Sequence, residues 1–161
     1  MPKLPAILSC LTLALTSLGA SAQSAPATPA AAAPANYDAA LAKKAGANEN
    51  GMRKFVLVIL KTHKPLPAGA QRDEMFKGHF ANMKRLAAEG KLALAGPLDG
   101  VEGRRGIFVL AVEDVEEARK LVATDPVIIQ GEMTADFHRF FASAAVSLIP
   151  GLHEKIALKP F

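Results

Sequence analysis

A run of six apolar, β-rich residues, Phe55-Val56-Leu57-Val58-Ile59-Leu60, constrains this chain more than any other feature. No polar residue alternates through it, so it reads as a strand covered on both faces or lying at the centre of a sheet. Pro65 and Pro67 force a loop after it. Residues 73–89 then place Phe76, Phe80, Met83, Leu86 and Ala87 at the spacing of an amphipathic helix, which Gly90 is positioned to stop.

The elements that follow complete a recognisable order. Residues 92–95 and 107–112 read as two strands joined by a glycine-rich hairpin through Asp99-Gly100-Val101-Glu102-Gly103. Asp114 stands at a cap position with Glu117 three residues on, opening a helix through Val122. Pro126 disfavours helical geometry at Asp125 and ends it. Residues 133–141 alternate loosely and form a fourth strand. The order is β-α-β-β-α-β, the split arrangement of ferredoxin-like α+β domains. Residues 142–161 are expected to form a tail helix, interrupted near Pro150-Gly151. Two helices cover only one face of a four-stranded sheet, so the other face is expected to be apolar and exposed in a monomer. A homodimer packing sheet on sheet would bury it.

The amino end differs in composition. Lys3 precedes an uncharged apolar run, Leu4 to Leu18, and Ala20-Ser21-Ala22 offers a small-x-small site. Residues 1–22 therefore read as a signal peptide cleaved between Ala22 and Gln23, and the mature protein is expected to be periplasmic or secreted, with no membrane attachment. Cys10, the chain's one cysteine, leaves with the signal. A thiol nucleophile, a thiolate metal site and a disulfide are thereby excluded from the mature form. Sixteen of the 31 alanines fall in the first 50 residues, which inflates the 50% hydrophobic content. Residues 23–50 read as an Ala/Pro-rich disordered spacer, with a short helix through 37–44. The domain proper is placed at 51–141.

Several stretches occur in an order and spacing that resemble the YCII-related (YciI-like) domain. They are Phe55 to Lys61, Gly78 to Leu92, Ala95-Gly96-Pro97, Arg105-Gly106-Ile107-Phe108, Glu116-Glu117-Ala118 and Thr124-Asp125-Pro126. The tail, where Ser143-Ala144-Ala145 precedes a helix containing His153, is similar to an exported subgroup. The resemblance implies a ferredoxin-like dimeric α/β barrel and a site around a helix histidine and the aspartate of the Asp-Pro pair. The subgroup's Trp-Tyr-Gly stretch is replaced here by Phe140-Phe141-Ala142.

Residues with chemistry to offer are few. His79 lies on the apolar side of its helix, one turn beyond Phe76 and one before Met83. An imidazole there suits general acid-base catalysis at neutral pH, and equally suits a structural hydrogen bond to backbone. Asp125 either orients one nitrogen of His79 or shapes the turn after the second helix. Arg105 either binds an anionic substrate group or stands exposed on its hairpin. Pro97 and Ser143 are weaker substrate-binding candidates; Pro97 more naturally shapes the end of its strand.

Other classes are excluded by spacing. His63, His79, His138 and His153 are too dispersed for a metal motif, and no metal is expected. Gly100, Gly103 and Gly106 lie in a hairpin with no Gly-Lys-Ser/Thr after them, so no phosphate loop is formed. The net charge of +4 is scattered among acids, and no nucleic-acid surface is indicated. No axial-ligand motif supports haem, and no cofactor is expected. The reading that results is an exported protein acting on a small organic molecule, His79 and Asp125 moving a proton in a lyase or isomerase reaction. The alternative is a non-catalytic periplasmic ligand-binding or assembly module.

Overall fold

A computed structural model of the chain describes residues 33–159. The signal segment, the Ala22–Gln23 cleavage point and most of the Ser24–Ala35 spacer lie outside the described residues. One compact unit runs from Asn36 onward.

Its elements are α1 (Ala39–Ala45), β1 (Met52–Thr62), α2 (Ala70–Ala88), β2 (Leu92–Pro97), β3 (Arg104–Leu110), α3 (Val115–Val122), the single turn α4 (Pro126–Ile129), β4 (Met133–Ser143) and α5 (Ile149–Ile156). The sheet order is β2-β3-β1-β4, and every neighbouring pair is antiparallel. The apolar run of residues 55–60 thus occupies an interior strand, pairing with β3 on one side and β4 on the other. This is a ferredoxin-like α+β architecture.

The faces of the sheet divide the core. Val56, Val58 and Leu60 point to the helices and meet Met83, Leu86, Phe108, Leu110, Val122 and Val127. Each fully buried aliphatic side chain there contributes roughly 1.5–3 kcal/mol. The stripe that α2 buries is Met75, His79, Asn82, Met83 and Leu86, whereas Phe80 is exposed. The apolar spacing at 76, 80 and 87 therefore gave the right helix with its buried stripe rotated, because two polar residues lie on the inner side.

The opposite face is less open than two covering helices would leave it. Phe55, Ala93, Val109 and Ala111 are buried there beneath Val146. Val146 belongs to a 3-10 turn, Ala144–Leu148, that follows β4. Leu94 and Phe140 remain 36% exposed on this face, beside half-buried Leu57, Ile59 and Ile107.

The tail is not one helix interrupted at Pro150-Gly151. The 3-10 turn comes first, and Pro150 lies in the opening turn of α5. A proline is tolerated there, since the N–H it lacks has no intrahelical partner. Asp114 caps α3 by accepting from the Glu116 N–H at 3.2 Å, and Glu117 reaches instead to Lys91 at 2.7 Å.

Candidate functional site

Residues 46 positions apart meet under α2. The Nδ1 of His79 lies 2.9 Å from both Oδ1 and Oδ2 of Asp125. His79 is 8% exposed and Asp125 is wholly buried. A buried carboxylate is costly unless several donors satisfy it. Here the Asn82 amide donates to Oδ2 at 3.2 Å and the Val127 N–H donates to Oδ1 at 3.1 Å. Asp125 is therefore the N-cap of α4 as well as the partner of His79. One carboxylate thus both caps that turn and contacts the imidazole.

Local sequence explains how the two elements come so close. Gly78 precedes His79, and a Cβ at Gly78 would sit 2.9 Å from Cγ of Pro126. A residue without a Cβ lets the first turn of α4 press against α2, and Asp125 arrives with it. Asn82 follows His79 by three positions on the same face. Its carbonyl accepts from Arg85 at 2.8 Å, and Arg85 also donates to the Thr124 hydroxyl at 3.1 Å. The Thr124 hydroxyl donates to the Leu121 carbonyl at 2.7 Å. These bonds fix the Asn82 amide so that its NH₂ faces Asp125.

The imidazole is lined by aromatic rings. Phe108 stacks on it at 5.9 Å between centroids, Phe76 meets it edge-on at 6.1 Å, and Phe80 lies 5.5 Å away. Such walls lower the local dielectric and strengthen the polar contacts inside.

A second charged cluster begins two turns earlier on α2. The Arg72 guanidinium lies 4.9 Å over Phe76, and its Nε and Nη2 donate to Oε1 of Glu132 at 3.2 and 2.7 Å. The Leu66 N–H donates to Oε2 at 2.6 Å. Burial pushes the Glu132 carboxyl up, but the hydrogen bonds from Arg72 and Leu66 and the charges of Arg72 and Arg105 outweigh it, holding the group below its ordinary value. Bonding to Glu132 raises Arg72 in turn.

Among the candidates, then, His79 and Asp125 are brought together. Arg105 is half-buried near Glu132, at the irregularity where β3 pairs with Leu60 and Lys61. Pro97 is exposed at the end of β2 opposite Gly106. Ser143 caps the 3-10 turn through the Ala145 N–H at 3.3 Å. It stands six residues along β4 from Phe137, the residue level with Val58 and Phe108, a span of roughly 20 Å. Neither Pro97 nor Ser143 joins the pair. Sequence reasoning missed Asn82, Arg72 and Glu132. The available signal for Asn82 was a polar side chain three residues after His79 on a stripe otherwise filled by methionine and leucine. Among the described residues no three His, Asp or Glu side chains converge as metal ligands.

Two cavities flank this region. One of about 720 Å³ is lined by Leu66, Gln71, Glu74, Met75, Pro126 and Gln130. The other, about 610 Å³, lies between α2, β2 and α5. Neither is lined by His79 or Asp125.

A curated relative, the uncharacterized protein YjpA of Bacillus subtilis (strain 168), is 28% identical over 80 residues, covering 50% of this chain and 85% of YjpA. Among solved structures, the 5-chloro-2-hydroxyhydroquinone dehydrochlorinase TftG from Burkholderia phenoliruptrix AC1100, in complex with 2,5-dihydroxybenzoquinone, is similar with a TM-score of 0.38 and 21% identity. That likeness covers 53% of this chain and 92% of the other. The family model for the YCII-related domain matches residues 55–135, from the interior strand to the start of β4, and on that match the chain belongs to the YCII-related domain family.

Proposed function

We propose that this protein is a small-molecule enzyme in which His79 carries a proton to and from an organic substrate while Asp125 holds the ring. The observation that carries the reading is the contact of Nδ1 with both Asp125 oxygens at 2.9 Å. With its proton on Nδ1, donated to the carboxylate, the neutral imidazole keeps Nε2 as the basic nitrogen. When Nε2 takes a proton, the buried carboxylate stabilises the imidazolium that forms. One base and one fixed partner suit proton abstraction beside a carbonyl or on a hydroxylated ring, which is lyase or isomerase chemistry. Arg105 would hold an anionic group of the substrate.

Export by a cleaved signal at Ala22–Gln23 is part of this reading, as is a homodimer. The partly exposed apolar strip of Leu57, Ile59, Ile107, Leu94 and Phe140 supports the dimer, since a second copy packed sheet on sheet would cover it. A binding or assembly role without turnover is the second reading, favoured by one observation: a mostly apolar cavity of about 610 Å³ lies between α2, β2 and α5, apart from the His79–Asp125 pair.

The test is a metabolite screen on wild type and His79→Ala. Turnover that is lost in His79→Ala while ligand affinity is retained supports the base. Binding with no turnover in either protein moves the assignment to the second reading.

A further inference from the structure

The cluster of Arg72, Glu132 and Arg105 takes no part in the contact between His79 and Asp125, yet Phe76 joins it to the same imidazole. We propose that Arg72 and Arg105, with Glu132 holding Arg72 in place, are the anion-recognising end of the His79 site and restrict its substrate to a carboxylic acid built on a single ring. The inference rests on His79 acting as the base, because it fixes where the acid group lies relative to the atom that loses a proton.

Two guanidiniums share one carboxylate. Glu132, 1% exposed, takes Nε and Nη2 of Arg72 on Oε1 and the Leu66 N–H on Oε2. Nη1 of Arg72 and the whole Arg105 guanidinium have no hydrogen-bond or ion-pair partner among the described residues. Both side chains are half-buried, yet none of these unbonded nitrogens is sealed from solvent. One positive charge is therefore in surplus, with N–H donors open to a ligand, and a planar monoanionic carboxylate matches both the charge and the fork. Asp73, next to Arg72, is exposed and screened by solvent. The neighbouring cations Arg104 and Lys61 are already engaged, with Glu102 and Asp136.

The backbone explains how Arg105 comes to serve this cluster. The register of β3 on β1 slips from Leu60–Gly106 to Lys61–Arg104, so Arg105 is the extra residue of a bulge. A bulge re-aims a side chain. Met133 pairs with Thr62 on the other side of β1, which puts Arg105 and Glu132 on strands roughly 10 Å apart, within reach of two long side chains. The charge of Arg105 is felt by Glu132.

Spacing limits the ligand. Cζ of Arg72 lies 4.9 Å from the Phe76 centroid and the imidazole centroid lies 6.1 Å from it, so guanidinium and imidazole stand no more than 11.0 Å apart. A hydrogen bond of about 3 Å at each end leaves at most about 5 Å for the substrate between them. That is the reach from a carboxyl group across one six-membered ring. The rings of Phe76, Phe80 and Phe108 around His79 favour such an occupant.

NMR titration with benzoate, 4-hydroxybenzoate and cyclohexanecarboxylate, each beside its uncharged carboxamide, tests this. The acids should bind about tenfold or more tighter than the amides. Saturable shifts should appear at the amides of Arg72, Phe76, Arg105 and Phe108 and on the His79 ring. Arg105→Ala should remove about tenfold of the acid affinity and leave the amides unchanged, which also shows that the variant is folded; Arg104→Ala should change neither. Removing Arg72 alone would strand a buried carboxylate, so it is changed together with Glu132, and the pair Arg72→Gln with Glu132→Gln should likewise lose the preference for acids. The proposal is overturned if no acid binds saturably, if acids and amides bind equally, if the preference survives Arg105→Ala, or if the His79 ring signals do not move. Failure of His79 as the base has a different signature: acids preferred and bound beside His79, with no turnover of any compound, would remove the proton transfer and leave the anion site standing.

Discussion

His79 and Asp125 share a two-oxygen contact at 2.9 Å although one lies inside a 19-residue helix and the other caps a single turn of four residues. The Asp-Pro pair does two jobs in that contact. Pro126 occupies the opening turn of α4, where its missing N–H is harmless, and presses that turn against Gly78. Asp125 then has one helix to cap and one imidazole to orient.

Asp125→Asn should exchange the tautomer of His79. The amide can still accept from the Val127 N–H, but its NH₂ faces the imidazole or Asn82 as a donor where only acceptors stood. Long-range ¹H–¹⁵N spectra should show the ring proton on Nδ1 in the wild type and on Nε2 in the variant. Stability should fall by about 1–3 kcal/mol through the unmatched donors. Any turnover that depends on Nε2 as base should fall by about 10²–10⁴. A ring proton that stays on Nδ1 would remove the orienting role.

Gly78→Ala sets two effects against each other. Alanine in a helix interior gains about 1 kcal/mol over glycine. Against this, the new methyl would stand 2.9 Å from the Pro126 ring, and overpacking of this kind costs about 1–3 kcal/mol. Pro126 cannot swing away as a flexible side chain does, so the loss should win. Urea unfolding should show a net destabilisation, and the His79 Nδ1 proton resonance should broaden or shift as Asp125 is pushed back.

Sequence and structure agree most where one physical signal acts alone. The run from Phe55 to Leu60 has no polar residue and lies in the sheet interior. The proline after Asp125 ends α3 and starts a further turn, which chain pattern alone shows only as a stop. Spacing does not join His79 to Asp125, because they lie on separate elements; the family resemblance does. Glu132 had no local signal at all. Its partners Arg72 and Leu66 are 60 and 66 residues away, and only the closing of the sheet brings them together. The 3-10 turn over Phe55 was hidden for the same reason, since alanine-rich sequence after a strand says little about which face it returns to.

Glu132 should contribute to the acid limb of stability. Its folded carboxyl is held below the ordinary value of 4.5, so the unfolded chain binds a proton there more readily than the native one. The stabilisation is therefore complete above about pH 4.5 and is lost as pH falls through the lower folded value. Urea midpoints measured from pH 6 down to pH 3 should fall more steeply for wild type than for Glu132→Gln, which should already be less stable at pH 6 because Arg72 has lost its carboxylate. Parallel curves would show that Glu132 is not among the groups driving acid unfolding.

Arg53 should decide whether the two extensions of the domain stay in place. Its guanidinium donates to the Ala45 carbonyl at 3.2 Å, the Ser147 hydroxyl at 3.2 Å and the Ala111 carbonyl at 2.8 Å, joining α1, the 3-10 turn and the segment after β3. Gly46, in the left-handed conformation at φ 70°, ends α1 against this same group, and a Cβ there would lie 3.1 Å from Arg53 Nη1. Lysine keeps the charge but not the fork, so Arg53→Lys should lose most of these bonds at a cost of roughly 1–2 kcal/mol. The loss should be local, because the helix-facing core of Val56, Val58, Leu86 and Leu110 does not include Arg53. Limited proteolysis of the variant should cut within 46–51 and 144–158 well before residues 55–135 are degraded. Simultaneous cleavage across the whole domain would show that Arg53 supports the core rather than the two extensions.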